Sequence, residues 1–410
     1  MTHKPYPRYQ AFTHRAFVLY WLARFCATFA VQIVAVAVAW QVYDLTRDPK
    51  DLGIIGMVQF LPLLLLVLVT GSVADRYGRR RVMSLSIALE ILASLAILYF
   101  SWRGLTSPIP IFAALTVLAI ARAFFGPATQ ALVVNLVPKE DFANAVTWNS
   151  SAWQIATIVG PVAGGLLYGM GANIAYGTAT LLLATSLTLI LRIPEPPPPK
   201  EIRKITFHSV FEGLHFIRGQ KIVLGAISLD LFAVLLGGAV ALMPVYARDI
   251  LQLGPWGLGL LRASPGIGAI ATTAFLAHTP IRDHAGRILL VFVALFGVFT
   301  ILFGLSTLTW LSILSLMLIG AADMVSVVVR ETLLQLWTPD HVRGRVNAVN
   351  MVFLGASNEL GEFRAGFMAA WIGVVPAVVF GGVGAVVVAA GWARLFPQLR
   401  DIRKLDGSGQ

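Results

Sequence analysis

Of the 410 residues, 57% are hydrophobic and only 12% are charged, about half the charged share of a soluble domain. That composition excludes a soluble globular protein and predicts a polytopic membrane protein in a lipid bilayer. A formal charge of +11 invites a nucleic-acid reading, but Lys and Arg gather in loops on one side of the predicted spans, so the surplus reads as topology.

No nucleic-acid partner is therefore expected. The single cysteine, Cys26, lies inside the first predicted span, which excludes an intrachain disulfide framework and a thiolate metal cluster. His3, His14, His208, His215, His278, His284 and His341 all fall outside membrane depth, so no metal site is expected.

The polar N-terminal segment MTHKPYPRYQAFTHR is expected to be retained and cytoplasmic. Apolar stretches of about twenty residues then predict about twelve transmembrane helices. In the first half they run roughly Phe17–Tyr43, Leu52–Val73, Val82–Trp102, Pro110–Leu132, Ala145–Tyr168 and Ile174–Ile193. Between the second and third lies GSVADRYGRRR, Gly71–Arg81. Its arginines, Arg76, Arg79, Arg80 and Arg81, hold that end of both flanking helices in water. Gly71 allows a close backbone approach, Asp75 sets an acid among the bases, and Gly78 permits a tight turn. The plain reading of the arginines is a positive-inside anchor.

Span four carries Arg122-x-x-x-Gly126-Pro127, and span five Gly160-Pro161-x-x-Gly164-Gly165. Proline interrupts the helix ladder and glycines allow a close crossing, so span five predicts a kinked packing face. Five prolines between Pro194 and Pro199 follow as a stiff spacer, then Lys200, Arg203 and Lys204. Phe207, Val210, Phe211, Leu214 and Ile217 recur at helical spacing, as in an amphipathic helix on the cytoplasmic membrane surface or a solvated linker. The expected organisation is 1–193, a six-helix bundle; 194–220, a cytoplasmic linker; and 221–410, a second six-helix bundle.

The second half predicts spans at roughly Ile222–Ala247, Trp256–Ala277, Ile288–Leu305, Trp310–Trp337, Val346–Ala370 and Val374–Leu395. It repeats the first at a nearly constant offset. Tyr43, Gly56 and Pro62 match Tyr246, Gly259 and Pro265; Asp75, Gly78 and Arg79 match Asp283, Gly286 and Arg287; Pro138 and Asn144 match Pro339 and Asn347. Such a series in one order is a duplicated bundle.

Ionisable groups at membrane depth are costly and face a cavity or a partner. They include Arg24, Glu90, Arg122, Asp230, Arg262, Asp323, Arg330, Glu331, Glu359, Glu362 and Arg364. For each, a structural ion pair competes with a role in coupling. Arg122 and Asp323 are repeat mates of opposite charge, set at the same distance before Pro138 and Pro339. Desolvation raises a carboxylate's proton affinity and a nearby arginine lowers it, so such residues can form a proton-coupling network. Asp230, Arg330, Glu331, Glu359 and Glu362 are its further candidates. Arg24, Gln32, Gln59, Arg122, Trp153, Arg262 and Asp323 are candidates to line a substrate cavity.

Gly-x-x-x-Asp-Arg-x-Gly-Arg-Arg after the second span resembles the signature loop of the major facilitator superfamily. The resemblance implies an all-α major facilitator fold with two pseudo-symmetric six-helix bundles, the loop latching the halves on the cytoplasmic side. It also implies that spans four and ten line a central cavity. Span four resembles the superfamily's arginine motif, implicated in proton coupling, and span five resembles the motif associated with exporters. QVYDLT, ADRYGRRR and SNELGEFRAG resemble the enterobactin-exporter and macrolide-efflux branch. This implies a secondary exporter, a proton-driven antiporter in a bacterial inner membrane with both termini cytoplasmic. Its substrate would be a small siderophore or drug, its cofactor requirement none beyond the proton gradient, and its state monomeric. A facilitator, importer or lipid flippase on the same fold, and a non-transporting receptor, remain as alternatives. No metal-ligand spacing or phosphate-binding glycine loop supports an enzyme.

Overall fold

Hydrocarbon offers no water to backbone N–H and C=O groups, so a chain this apolar must satisfy them within helices or a closed barrel. The computed structural model describes residues 9–195, 207–279, 281 and 283–403, excluding the side chains of residues 67, 68, 71, 72, 74, 75, 207–212 and 341. Among the described residues there are helices and no strand. The prolines at 196–199 and the bases Lys200, Arg203 and Lys204 lie outside them.

The first half folds as α1 (Arg15–Thr46), α2 (Pro49–Tyr77), α3 (Arg79–Arg103), α4 (Ile109–Val133), α5 (Phe142–Met170) and α6 (Ala172–Leu191). A short α7 (Phe207–Gly219) leads into α8 (Lys221–Gly237) and a single turn, α9 (Met243–Val245). Then come α10 (Gly254–His278), α11 (Ala285–Leu305), α12 (Thr309–Trp337), α13 (Asp340–Ile372), α14 (Val374–Leu395) and a terminal turn, α15 (Pro397–Arg400). Among the described residues, ten stretches are long and apolar enough to cross a membrane, and residues 221–250 count as one of them. The long helices α5 and α13 fall outside that set because both carry polar groups at mid-helix: Asn149 and Gln154 on one, Glu359, Glu362 and Arg364 on the other.

One expected helix is interrupted. Sequence predicts an unbroken span over Ile222–Ala247; instead α8 stops at Gly237, and the chain passes through a 3-10 turn, α9 and a π turn, Tyr246–Ile250. Gly237 and Gly238 lower the local helix preference, and Pro244 supplies no N–H to the ladder.

The described chain divides into two compact units. One comprises Met1–Gln41 and Leu61–Ile205, the other Val42–Phe60 and Thr206–Gln410. The duplication is visible inside each. In the first, α3 packs on α4 and α6; in the second, α11 packs on α12 and α14. Gly171 joins α5 to α6 with φ 143°, and its repeat mate Gly373 joins α13 to α14 with φ 93°. Both backbones lie where side chains are strained, so glycine holds both turns.

In the second unit, α7 is held by the helix bundle: Ile217 is fully buried in a core with Val223, Val329, Leu333, Val346 and Leu399. The segment after α14 closes the same core. The first N–H groups of α11, at Ala285 and Gly286, donate to the Arg403 and Ile402 carbonyls, each at 3.1 Å. Hydrogen bonds from Arg400 hold the adjacent Asp401 carboxyl below the usual carboxylate range.

The α10–α12 crossing is glycine-dependent, because a Cβ on Gly320 would run into the Pro265 backbone and one on Gly268 into that of Met317. Gly320→Ala is expected to destabilise the fold by about 1–3 kcal/mol through overpacking. The unfolding midpoint of the purified protein in detergent checks this, with Gly391→Ala as a control at a position that meets no neighbour.

Candidate functional site

The arginine loop reaches its geometry through a turn and three guanidinium groups. Gly78, φ 89°, separates α2 from α3. Arg79 Nη1 donates to the Ala131 carbonyl at 2.7 Å, near the end of α4. Arg80 Nη1 donates to the Ile193 carbonyl at 2.6 Å, just past α6. Arg81 grips Glu195 through Nε at 2.7 Å and Nη2 at 3.1 Å. Cations at helix C-termini complement both the orphan carbonyls and the helix dipole. The loop thereby ties the ends of α4 and α6 to the start of α3. Arg76 is exposed, its guanidinium 5.6 Å from the Tyr77 ring centre. Gly71 and Asp75 lie in the α2 backbone, and the Asp75 side chain is outside the described set.

Elsewhere in the first unit, Tyr20 donates to the Thr129 carbonyl at 3.0 Å and interacts with Arg24 and Asn149. Glu90 is buried on α3 within electrostatic reach of Arg122, which stands exposed on α4. Gly160 and Gly164 of α5 press on α1 at Gln32 and Ile33, where a Cβ would come within 2.6 Å and 3.0 Å of them. The helix continues through Pro161, and Trp153 on the same helix is half exposed. An aromatic ladder runs from Tyr9 and Phe12 through Trp148 and Trp21 to Phe25 and Phe29.

The second unit gathers the charges more tightly. Arg330 of α12 forms a buried ion pair with Asp230 of α8. Asp323, two turns away on the same face of α12, is within electrostatic reach of both. Its carboxylate makes no hydrogen bond to another described residue. Glu331 accepts from Asn350 Nδ2 at 3.1 Å. Arg262 of α10 and Glu362 of α13 attract each other, and Arg262 Nε is buried without a hydrogen-bond acceptor. Glu359 lies one turn before Glu362, its backbone against Gly56 of α2. Gln59 Nε2 turns back to the Ile55 carbonyl at 3.4 Å.

Two features were not read from the sequence. Arg364 of α13 donates from Nε to the Leu235 carbonyl at 2.9 Å and from Nη2 to that of Leu236 at 2.5 Å. Those carbonyls are orphaned by the stop at Gly237, so Arg364 serves as the C-terminal cap that α8 lacks in its own sequence. Gly238 and Gly361 meet backbone to backbone beside it. The signal was present as a Gly-Gly pair in one span and an arginine in another. Second, α1's last turn and the π turn join through Tyr43 donating to Asp249, Arg248 paired with Asp44, and Arg47 at 3.4 Å from Asp249. This cluster sits at the start of α2, the end opposite Gly78. Among the described residues no group of His, Cys, Asp and Glu is arranged to hold a metal ion.

Helices long and apolar enough to span a membrane, duplicated internal packing and the buried Asp230–Arg330 pair are features of a membrane transporter. The profile of the transmembrane secretion effector family matches residues 7–408, and the chain belongs to that family within the major facilitator superfamily. It is 26% identical over 403 residues to the enterobactin exporter EntS of Escherichia coli O1:K1, covering 96% of this chain and 94% of that one. The same figures hold for EntS of Shigella boydii serotype 18. Among solved structures, a bacterial homologue of the human lysosomal transporter Spinster, inward-facing and occupied, is similar with TM-score 0.73 at 15% identity, covering 97% of this chain and 99% of that chain. A bacterial homologue of the iron transporter ferroportin gives TM-score 0.70 at 16% identity, covering 92% and 98%. The expected major facilitator fold is thereby met; the family is one of transporters, not enzymes.

Removing one partner of a buried ion pair leaves an uncompensated charge, at about 3–5 kcal/mol. Arg330→Met is accordingly expected to lower the unfolding midpoint sharply, and Asp230→Asn added to it to restore most of the loss. A double variant no more stable than the single one would mean the pair is not coupled.

Proposed function

We propose that this protein is a proton-driven exporter, an antiporter that moves a small amphipathic solute across a bacterial inner membrane by alternating access. The single observation that carries the proton coupling is the arrangement around Arg330: Asp230 is paired with its guanidinium, and Asp323 lies within electrostatic reach of both with no hydrogen bond to another described residue, while Glu331 adds a further acid within reach of Asp230. With Asp323 protonated, Arg330 belongs to Asp230 alone. With Asp323 ionised, the second acid competes for the same base, and the α8–α12 contact is disfavoured by repulsion between carboxylates. A proton on Asp323 therefore selects one arrangement of these helices. Arg122 and Glu90 supply a second charged pair at depth in the other unit.

Export as the direction is supported by similarity to EntS over nearly the whole chain. The same similarity favours a siderophore or a lipophilic drug as substrate. Arg24, Arg122 and Arg262 with Trp153 and Gln59 are the groups assigned to meet it. Both termini are assigned to the cytoplasm because the arginine loop then obeys the positive-inside bias. The Asp44, Asp249, Arg47 and Arg248 cluster, at the opposite end of α2 from the arginine loop, then lies on the outer side.

Reconstitution in liposomes enclosing a pH-sensitive dye tests this reading. A panel of lipophilic drugs and catecholate siderophores is added to wild type and to Asp323→Asn. Proton movement triggered by one compound class, and reduced at least about tenfold in Asp323→Asn, is the expected result. Compound flux without proton movement would leave a facilitator.

A further inference from the structure

We propose that a groove between α2, α3 and α4, at the arginine-bearing end, holds one anionic phospholipid, with an acyl chain in the groove and its phosphate against Arg76 and Arg81. The groove encloses about 470 Å³. Below its mouth the walls are hydrocarbon: Val73, Val82, Leu85, Leu89 and Phe124. Among the described residues of those walls the one hydroxyl, on Ser86, is already spent on the Val82 carbonyl at 2.9 Å, so they leave no side-chain donor unsatisfied. Leu85 and Leu92 on the same helix are more than half exposed, which for a membrane span means facing lipid.

The mouth has the opposite chemistry. Tyr77 and Arg81 close it, both exposed, and Arg76 lies beside Tyr77. Glu195 uses the Nε and one Nη2 hydrogen of Arg81, leaving the Nη1 edge of the fork to donate. From Arg81 to Leu89 the groove descends on the order of 12 Å along α3, from headgroup depth into hydrocarbon. An apolar slot that ends in a tyrosine and two guanidinium groups at that depth matches a lipid end to end. The sign of the mouth selects a negative headgroup, since a choline ammonium would sit beside Arg76 and Arg81.

Native mass spectrometry of the full chain in detergent, offered equal phosphatidylglycerol and phosphatidylcholine of matched chains, tests the site. Wild type should retain one phosphatidylglycerol with about a tenfold preference. Arg76→Gln with Arg81→Gln should remove the preference while some lipid of either kind still binds. Leu89→Trp, which fills the groove, should lower retention of both lipids; Leu85→Trp at the exposed rim repeats that test if the first variant fails to fold. Arg103→Gln, at the other end of α3, should keep the preference. Equal retention of the two lipids by wild type, or an undiminished preference in the double arginine variant, would overturn the proposal.

Discussion

A membrane-spanning chain cannot cheaply leave a charge or a backbone polar group in hydrocarbon, and many of the described polar groups of this protein are arranged around that constraint. The Asp230–Arg330 pair is its plainest expression. Neither group would be tolerated alone between α8 and α12, and together they fix the register of the two helices. The same rule accounts for the arginine loop, where Arg79 and Arg80 are spent on carbonyls at the ends of α4 and α6. It accounts for the hydroxyls too: Ser186 donates to the Ala23 carbonyl at 2.7 Å, and Tyr246 to the Gly304 carbonyl at 2.7 Å.

Function enters where the constraint is met by only a narrow margin. Asp323 lies within electrostatic reach of a base already paired with Asp230, and in the proposed mechanism its protonation sets how readily α8 and α12 stay in contact. A few turns further along the same chain, α8 is interrupted and Arg364 restores its lost hydrogen bonds. Discontinuous helices at membrane depth bring backbone carbonyls and flexible joints to the places where transporters bind and gate. The joint at Gly237–Gly238 separates the part of the span that carries Asp230 from the part that carries Arg248 and Asp249. A shift at the ion pair and a release of the far cluster can thus occur along one polypeptide segment. Tyr43, Asp44 and Arg47 supply the partners on the other side of that cluster.

Much of this was legible in the sequence because bilayer thickness imposes its own length on every helix. The predicted starts and ends of α3, α4, α6, α10 and α14 fall within a few residues of those observed. The duplication was legible because the matching residues sit at turns and helix prolines, such as Pro62 and Pro265, whose backbone role does not vary. The charged residues at depth were also legible, but not their pairing. Which of several acids meets Arg330 depends on how α8 and α12 are rotated, and hydropathy carries no such information. The break after Gly237 was hidden for a related reason: residues 221–250 average as one apolar span. The QVYDLT segment was readable as a family likeness, while the hydrogen bond from Tyr43 to Asp249 required the fold.

The central claim is that Asp323 carries the exchanged proton, and its carboxyl group can be observed directly. Infrared difference spectra of the reconstituted protein, recorded on adding a transported compound, report carboxylic acid groups that lose or gain a proton. The account predicts a protonated-carboxyl band that disappears on compound addition in wild type and is absent in Asp323→Asn. The same band, undiminished in Asp323→Asn, would place the proton on another group and contradict the account.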